Sequence, residues 1–422
     1  MRVLLAGVYH PEIMRGGAPQ IFYDLFKGLQ AADGVHPTLL AAVDNTLPAL
    51  HKSGARITGF DGRPDELVFL SQGYDYFWHR QPGDRLAEAF EDLLGQLRPD
   101  VVHFHHFMLL GLDLITLTRR VLPAARIILT FHEFLAICIA QGQMVRTTDG
   151  SICRRASQVR CHQCFPGHAP EYLFMRELWV KRHLADVDIF TIPSRFMRDV
   201  YVQWGLDPAR LVHVPNGQGE GRLTRIAEHP RERRNRFGFF GQLVDNKGVW
   251  VVLQAVELLR AQGFTDFVVE LNGDNLRFAS DARRHEFETF LEREGALPVA
   301  DRLVVFNGAY EVDQLAGRMA RVDWCLVPSV WPEAFGLVVS EAWLFGRPVI
   351  GSAVGGIAER VVDDRNGLLV PPADARALAV AIRRACEEEG LWDRLTAGIT
   401  PPTSRDAMTS AFVDLYRDGL PS

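Results

Sequence analysis

Short β-branched runs alternate with longer helix-like stretches along nearly the whole chain, and this rhythm narrows the fold more than any other feature. Parallel strands can be joined only by crossovers of roughly a dozen residues or more, so the alternation specifies parallel sheets built from βαβ units. The runs fall into two series. Residues 2–7, 37–43, 101–104, 126–131, 189–193 and 211–214 form the first, and residues 237–241, 267–272, 303–307, 324–327, 348–351 and 368–370 form the second. Apolar residues at helical spacing predict helices over 18–30, 86–97, 112–121 and 196–205, and over 247–261 and 375–388 with Asp374 placed to cap the latter. Residues 218–235 are polar, strongly charged and lack either period, which marks a linker.

A chain of 422 residues exceeds what one hydrophobic core organises, so an α/β architecture of two domains, 1–217 and 236–400, is expected. A last helix at 405–417, within the tail 401–422, carries Met408, Phe412, Leu415 and Tyr416 on one face and needs a surface to cover. Hydrophobic residues at 47% and charged residues at 23% leave little room for long disorder or a fibrous architecture. A net charge of −6 gives no global attraction to nucleic acid or anionic lipid, and no nucleic-acid partner is expected. The apolar run at the start is too short for a signal segment, and Asp113 and Arg119 interrupt the longest apolar candidate for a membrane span. The expected location is the cytoplasm.

The most informative segment is residues 328–342, where a strand ends, a turn follows and a helix begins near Gly336, with Glu333 and Glu341 bracketing that start. A helix start is a natural seat for a diphosphate, because its amides and the positive end of its dipole face outward. A carboxylate just before it can bond sugar hydroxyls, and one about a turn and a half in can accept from a ribose diol. Residues 239–248 form a second strand, glycine turn and helix, with Gly241 at the turn and Lys247 placed to reach phosphate. A fixed ammonium there would stabilise the charge gathering on a diphosphate leaving group as the bond to it breaks. No dinucleotide fingerprint of the GxGxxG type is present, which argues against a nicotinamide or flavin enzyme.

With its E-x7-E element, the sequence resembles the large family of retaining glycosyltransferases of family 4 (glycosyl transferases group 1). The resemblance implies the GT-B fold, two facing Rossmann-like domains with the active site in the interdomain cleft and the terminal helix crossing back to the first domain. Carried over by position, Glu333 would contact the donor sugar and Glu341 the ribose, with the backbone of Phe335, Gly336 and Leu337 on phosphate and sugar. Gln242 stands where the family usually has arginine and can donate a hydrogen bond but no charge. Asn272 and Gly273 match the family's next glycine turn, Tyr310 the loop that commonly meets the base, and Gly16 and Gly17 its Gly-Gly element near donor phosphate and acceptor. His132, at the end of a buried-looking strand, would meet the donor sugar. His103 and His105 face one way on their strand, but the family often has histidine there without metal. The implied reaction moves a sugar from a UDP- or GDP-sugar to an acceptor hydroxyl with retained configuration. It needs no cofactor or divalent metal and takes a saccharide or lipid-linked acceptor in envelope polysaccharide or glycolipid synthesis. The rival readings are an epimerase or phosphorylase on the same fold, and a non-catalytic sugar-nucleotide-binding module.

Four of the six cysteines, Cys138, Cys153, Cys161 and Cys164, crowd into an insert at 135–170. Cys161 and Cys164 form a C-x2-C knuckle, and Asp149-Gly150 offers a hairpin turn that would bring the other two toward it. A structural zinc, free thiols and disulfides all remain open readings. Residues 173–184 mix bulky apolar side chains with Arg176, Lys181 and Arg182, so that helix either buries one side or rests peripherally on an anionic membrane.

Overall fold

The computed structural model describes residues 1–44, 55–219 and 233–420, and it divides into two compact units, Met1–Gln218 with Thr403–Ser422, and Gly219–Pro402. The stretch expected as a linker, 218–235, lies largely outside the described residues.

The first unit runs β1 (Arg2–Val8), α1 (Gly17–Gln30), β2 (His36–Val43), β3 (Ile57–Phe60), β4 (Arg63–Leu70), α2 (Asp84–Leu97), β5 (Val101–Phe104), α3 (Asp113–Val121), β6 (Arg126–Thr130), α4 (Gln158–Cys164), α5 (Pro170–Leu184), β7 (Ile189–Ile192), α6 (Arg195–Trp204) and β8 (Leu211–His213). Its eight strands lie in the order β3-β4-β2-β1-β5-β6-β7-β8. All neighbours are parallel except β3 and β4, an antiparallel edge that the strand pattern of the sequence did not predict. β4 hid because its first half, Arg63 to Glu66, is polar and charged. Glu66 is nevertheless buried, with His10 Nε2 at 2.9 Å, Lys27 Nζ at 3.1 Å and an Arg63 nitrogen at 2.9 Å, so its charge is paired by two groups from elsewhere in the unit and by one from its own strand.

The second unit runs β9 (Arg236–Phe240), α7 (Val249–Ala261), β10 (Val268–Asn272), α8 (Asp281–Ala296), β11 (Val304–Gly308), α9 (Val312–Met319), β12 (Trp324–Val327), α10 (Leu337–Leu344), β13 (Val349–Ser352), α11 (Gly355–Arg360), β14 (Gly367–Val370), α12 (Ala375–Glu387) and α13 (Leu391–Ala397). Its six parallel strands take the order β11-β10-β9-β12-β13-β14. Strand alternation splits the core between the two faces of the sheet. Phe237, Phe239 and Trp324 pack with Leu253 and Ile382 on one side, while Phe240, Cys325 and Val327 pack with Met319, Val339 and Ile357 on the other. Asp374 caps α12 by accepting from the Ala377 amide at 2.9 Å.

The terminal helix α14 (Arg405–Asp418) belongs to the first unit. Met408, Phe412, Leu415 and Tyr416 are buried on it, and the Tyr416 hydroxyl lies 2.7 Å from His103 Nδ1 of β5. The insert after β6 is built differently from the rest. From Cys138 to Tyr172 only Gly142 and Met144 are buried, and a hairpin bridged at Val145 and Ile152 leads into the short α4. Helix α5 buries Leu173, Arg176, Val180, His183 and Leu184 yet leaves Tyr172, Phe174, Met175 and Leu178 exposed. Among the described residues no helix is long and apolar enough to cross a membrane.

Candidate functional site

In an open parallel sheet, a ligand site forms beyond the carboxyl ends of the strands where the strand order reverses, because there the two following loops diverge to opposite faces. In the second unit that point lies between β9 and β12. The loop after β9 carries Lys247 and the loop after β12 carries Glu333, and the sheet brings these residues together across 86 positions of sequence: Lys247 Nζ donates to Glu333 Oε1 at 2.6 Å. Ser329 Oγ donates to the same oxygen at 2.8 Å and Trp331 Nε1 at 3.2 Å. Burial opposes ionisation of Glu333, but the ammonium and these hydrogen bonds outweigh it and hold the carboxyl below its usual range. The Val330 amide bonds the Asn246 carbonyl at 3.0 Å, so the two loops are stitched through backbone as well as through the ion pair.

Gly336 opens α10 with φ +77, a left-handed turn that glycine takes without strain, and no side chain caps the helix. The start is instead pinned from behind by Arg360, whose guanidinium donates to the Gly336 carbonyl at 3.0 Å and to Ser340 Oγ at 2.6 Å while stacking 4.0 Å from the Phe335 ring. Gly355 supports the Glu333 loop. It has φ +62, and a Cβ there would lie 2.6 Å from the Glu333 carbonyl oxygen, so only glycine admits this approach. The next amide, of Gly356, bonds that carbonyl at 2.7 Å. Ser329, Trp331, Gly355 and Arg360 were not picked out by the sequence. The double glycine at the start of α11 was the available signal, but nothing local says which loop it packs against.

Glu341, about a turn into α10, is half-buried, and desolvation pushes its carboxyl up to about 7. Tyr310 stands near it, since burial first and then the Glu341 charge raise the phenol well above its ordinary value. Arg318 lies 5.1 Å from the Tyr310 ring centroid and donates to the Gly308 carbonyl at 2.8 Å, fixing the loop after β11. Gly241 and Gly273 are linked through their strands, the Gly241 amide donating to the Asn272 carbonyl and the Gly273 amide to the Gly308 carbonyl, both at 3.0 Å. Asn272 lies beneath the surface rather than on it. Its side chain is fully buried, donating to the Phe239 and Glu270 carbonyls and accepting from Arg318 and Asn307, so it positions the turn. Gln242 is exposed.

In the first unit the corresponding reversal lies between β1 and β5. Gly16 and Gly17 open α1 in the loop after β1, and Gly16 is extended, a conformation any residue adopts. His132 follows β6 and places Nε2 3.1 Å from His105 Nδ1, the two rings stacked with centroids 5.4 Å apart. Desolvation, then the nearby His106, pushes His132 down to about 3, so the imidazole is neutral at ordinary pH. His103 is occupied by Tyr416 and by Thr130 Oγ1, the latter at 2.7 Å from Nε2. The cysteines Cys138, Cys153, Cys161 and Cys164 are unpaired by disulfide and line one cavity. Among the described residues no three His, Cys, Asp or Glu side chains stand as a ready metal-holding group.

Two family models match the chain in succession: glycosyltransferase family 4 over residues 15–218 and glycosyl transferases group 1 over residues 234–388. Glycogen synthase of Mycobacterium tuberculosis is 24% identical over 426 aligned residues, covering 98% of this chain and 91% of that protein. The D-inositol 3-phosphate glycosyltransferase of Xylanimonas cellulosilytica is 34% identical over 42% of this chain and 41% of its own length. Among solved structures, sucrose-phosphate synthase of Thermosynechococcus elongatus has a TM-score of 0.69 at 21% identity, covering 98% of both chains. Anabaena HepE in complex with UDP has a TM-score of 0.66 at 16% identity, covering 98% of this chain and 99% of that one.

Proposed function

The chain belongs to the family 4, group 1 glycosyltransferases and has their GT-B fold, and from that premise we propose that it transfers a sugar from a nucleoside diphosphate donor to an acceptor hydroxyl with retention of configuration. The observation that carries this reading is the ion pair of Lys247 and Glu333 at the strand-order reversal of the second sheet, beside the start of α10. A diphosphate seated at that helix start meets the dipole's positive end and the spare donors of the Lys247 ammonium. As the bond to the sugar lengthens, negative charge collects on the departing phosphate, and the ammonium and amides bind it more strongly than in the ground state.

Glu333 is fixed for a second task. Its three side-chain donors converge on Oε1, so Oε2 is the oxygen offered to a hydroxyl of the donor sugar. Glu341 accepts from the ribose diol, with Tyr310 toward the base. Phe335, Gly336 and Leu337 supply backbone to phosphate and sugar, and Gly241, Gln242 and Gly273 line the neighbouring turns. Gly16, Gly17 and neutral His132 are the first unit's contribution to donor and acceptor. The acceptor is a saccharide or a lipid-linked hydroxyl of an envelope polymer or glycolipid. Support for the lipid-linked form is the exposed apolar face of α5 formed by Phe174, Met175 and Leu178 next to Arg182, suited to peripheral contact with an anionic membrane. No metal or other cofactor is assigned to the transfer step itself.

HepE carries UDP in its structure and a mannosyltransferase of Mycolicibacterium smegmatis related over 55% of this chain is named as GDP-mannose-dependent, so both nucleotides belong in the first test. The full-length chain is screened against UDP- and GDP-sugars by thermal shift, since a ligand that binds only the folded state raises apparent stability. A shifted donor is then followed through transfer by mass spectrometry. Binding and transfer that both collapse in Lys247→Ala and Glu333→Ala support the site, and full turnover in both variants refutes it. Conversion of the donor to an isomer with no second substrate would identify an epimerase instead, and cleavage that requires only inorganic phosphate a phosphorylase.

A further inference from the structure

The insert between β6 and α5 poses a folding problem that its own side chains do not solve. From Val145 to Tyr172 no residue is buried, so beyond Met144 this stretch has almost no apolar core to offset the loss of chain entropy. Its internal bonds are those of a small surface hairpin. The Arg146 amide donates to the Ser151 carbonyl at 2.8 Å and the Cys153 amide to the Met144 carbonyl at 2.7 Å, while Thr147 Oγ1 ties the hairpin to α4 at the Cys164 carbonyl, 2.7 Å away. Exposed hydrogen bonds of this kind contribute little net stability, because water competes for every one of them.

At the centre of the insert lies a cavity of ≈ 20 Å³, room for about one water-sized particle. Cys138, Cys153, Cys161 and Cys164 all line it, with Ile139 and Met144 excluding solvent. Each thiol arrives from a different step of the local fold. Cys138 comes from the loop after β6, Cys153 from the far arm of the hairpin turned by Gly150 at φ +69, and Cys161 and Cys164 from successive turns of α4. Arg146 and Arg160 also line the cavity, and their two positive charges match the net double negative charge of four thiolates around a divalent ion.

We propose that these four cysteines bind one zinc ion, a structural cross-link that takes the place of the core the insert lacks. Zinc suits the donor set, since it takes four thiolates in a closed tetrahedron and has no redox chemistry to oxidise them. Binding exchanges four S–H bonds for four Zn–S bonds and releases four protons to solvent. The sulfurs do not yet close on a common point, so binding turns their side chains into the cavity without unwinding α4. The four cysteines belong to the first unit and the Lys247–Glu333 pair to the second, and the ion is assigned no part in sugar transfer.

The test measures metal, so its result is independent of which sugar is moved. The full chain, expressed with zinc supplied and then desalted, is expected to hold about one zinc per molecule by elemental mass spectrometry, falling to about a tenth of that in Cys161→Ser/Cys164→Ser and staying near one in Cys325→Ser. Should the double variant fail to fold, the wild-type chain stripped of zinc and given cobalt(II) decides the matter. Sulfur-to-cobalt charge-transfer bands with strong visible absorption of a tetrahedral complex are expected. A wild-type chain with neither zinc nor that spectrum, zinc retained by the double variant, or a disulfide among the four cysteines in freshly isolated protein overturns the proposal.

Discussion

The two sheets are wound on the same plan, yet their carboxyl edges hold opposite chemistry. At the second unit's reversal point an ammonium and a carboxylate sit 2.6 Å apart, charged and held by side chains from both flanking loops. At the first unit's edge, neutral imidazoles stack on one another, with His132 against His105 and His103 held between Tyr416 and Thr130. The difference shows that winding sets only where a site lies, and that the loop residues set its polarity. A charged edge suits a diphosphate and its departing charge. The stack of uncharged imidazoles suits hydroxyl groups, which need hydrogen bonds but no counter-charge, and the neighbouring Glu133 carboxylate lies 3.3 Å from His106 Nε2.

Removing the charge from one edge gives the largest effect. Lys247→Ala is expected to lower kcat/KM by roughly 100- to 1000-fold, the size typical of deleting one transition-state donor, whereas His132→Ala costs less than either limit. Steady-state kinetics on the two variants checks the order, and an equal loss in both would erase the contrast. Next comes the scaffold of the charged edge. Gly355→Ala places a methyl group against the Glu333 backbone at positive φ and is expected to cost about 2–3 kcal/mol, lowering Tm by several degrees while shifting the donor KM upward. Calorimetry that finds an unchanged Tm would show that the Glu333 loop yields.

Titration separates the edges by sign. Glu341 has its folded pKa raised to about 7, so the folded state binds the extra proton, and the stability it confers falls as pH rises from the ordinary carboxylate value toward 7. For His132 the folded pKa is depressed to about 3, so stability is lost as pH falls below the ordinary imidazole value toward 3. If Glu341 accepts from the ribose as a carboxylate, the donor KM drops by about tenfold as pH rises through 7, and Glu341→Gln flattens that profile. A wild-type profile that is already flat contradicts the ribose role. The smallest effect belongs to the neutral edge: Tyr416→Phe removes the bond from α14 to His103 and is expected to cost about 1 kcal/mol, read as a shift in the denaturant midpoint with activity nearly unchanged.

Reading the residues alone located much of the charged edge, because its parts are punctuated locally. Gly241 ends a strand, Gly336 begins a helix, and Glu333 and Glu341 flank that start at a spacing visible on the page. Two findings resisted the same treatment. β4 was missed because Glu66 looks like a surface residue until His10, Lys27 and Arg63 are found around it. Asn272 is assigned to the donor by its match to the family's glycine turn, whereas its four bonds beneath the surface involve groups at positions 239, 270, 307 and 318.

The order of strands and helices, the glycine turns and the capping of α12 are consequences of short-range preferences, and those are written in neighbouring residues. Which oxygen of Glu333 is occupied, why Arg360 braces Gly336, and that four thiols border one cavity depend on contacts spanning up to 86 positions of chain. Such contacts are selected by the packing of whole sheets and helices, where a side chain's partner is fixed by close approach in space and leaves no period along the backbone.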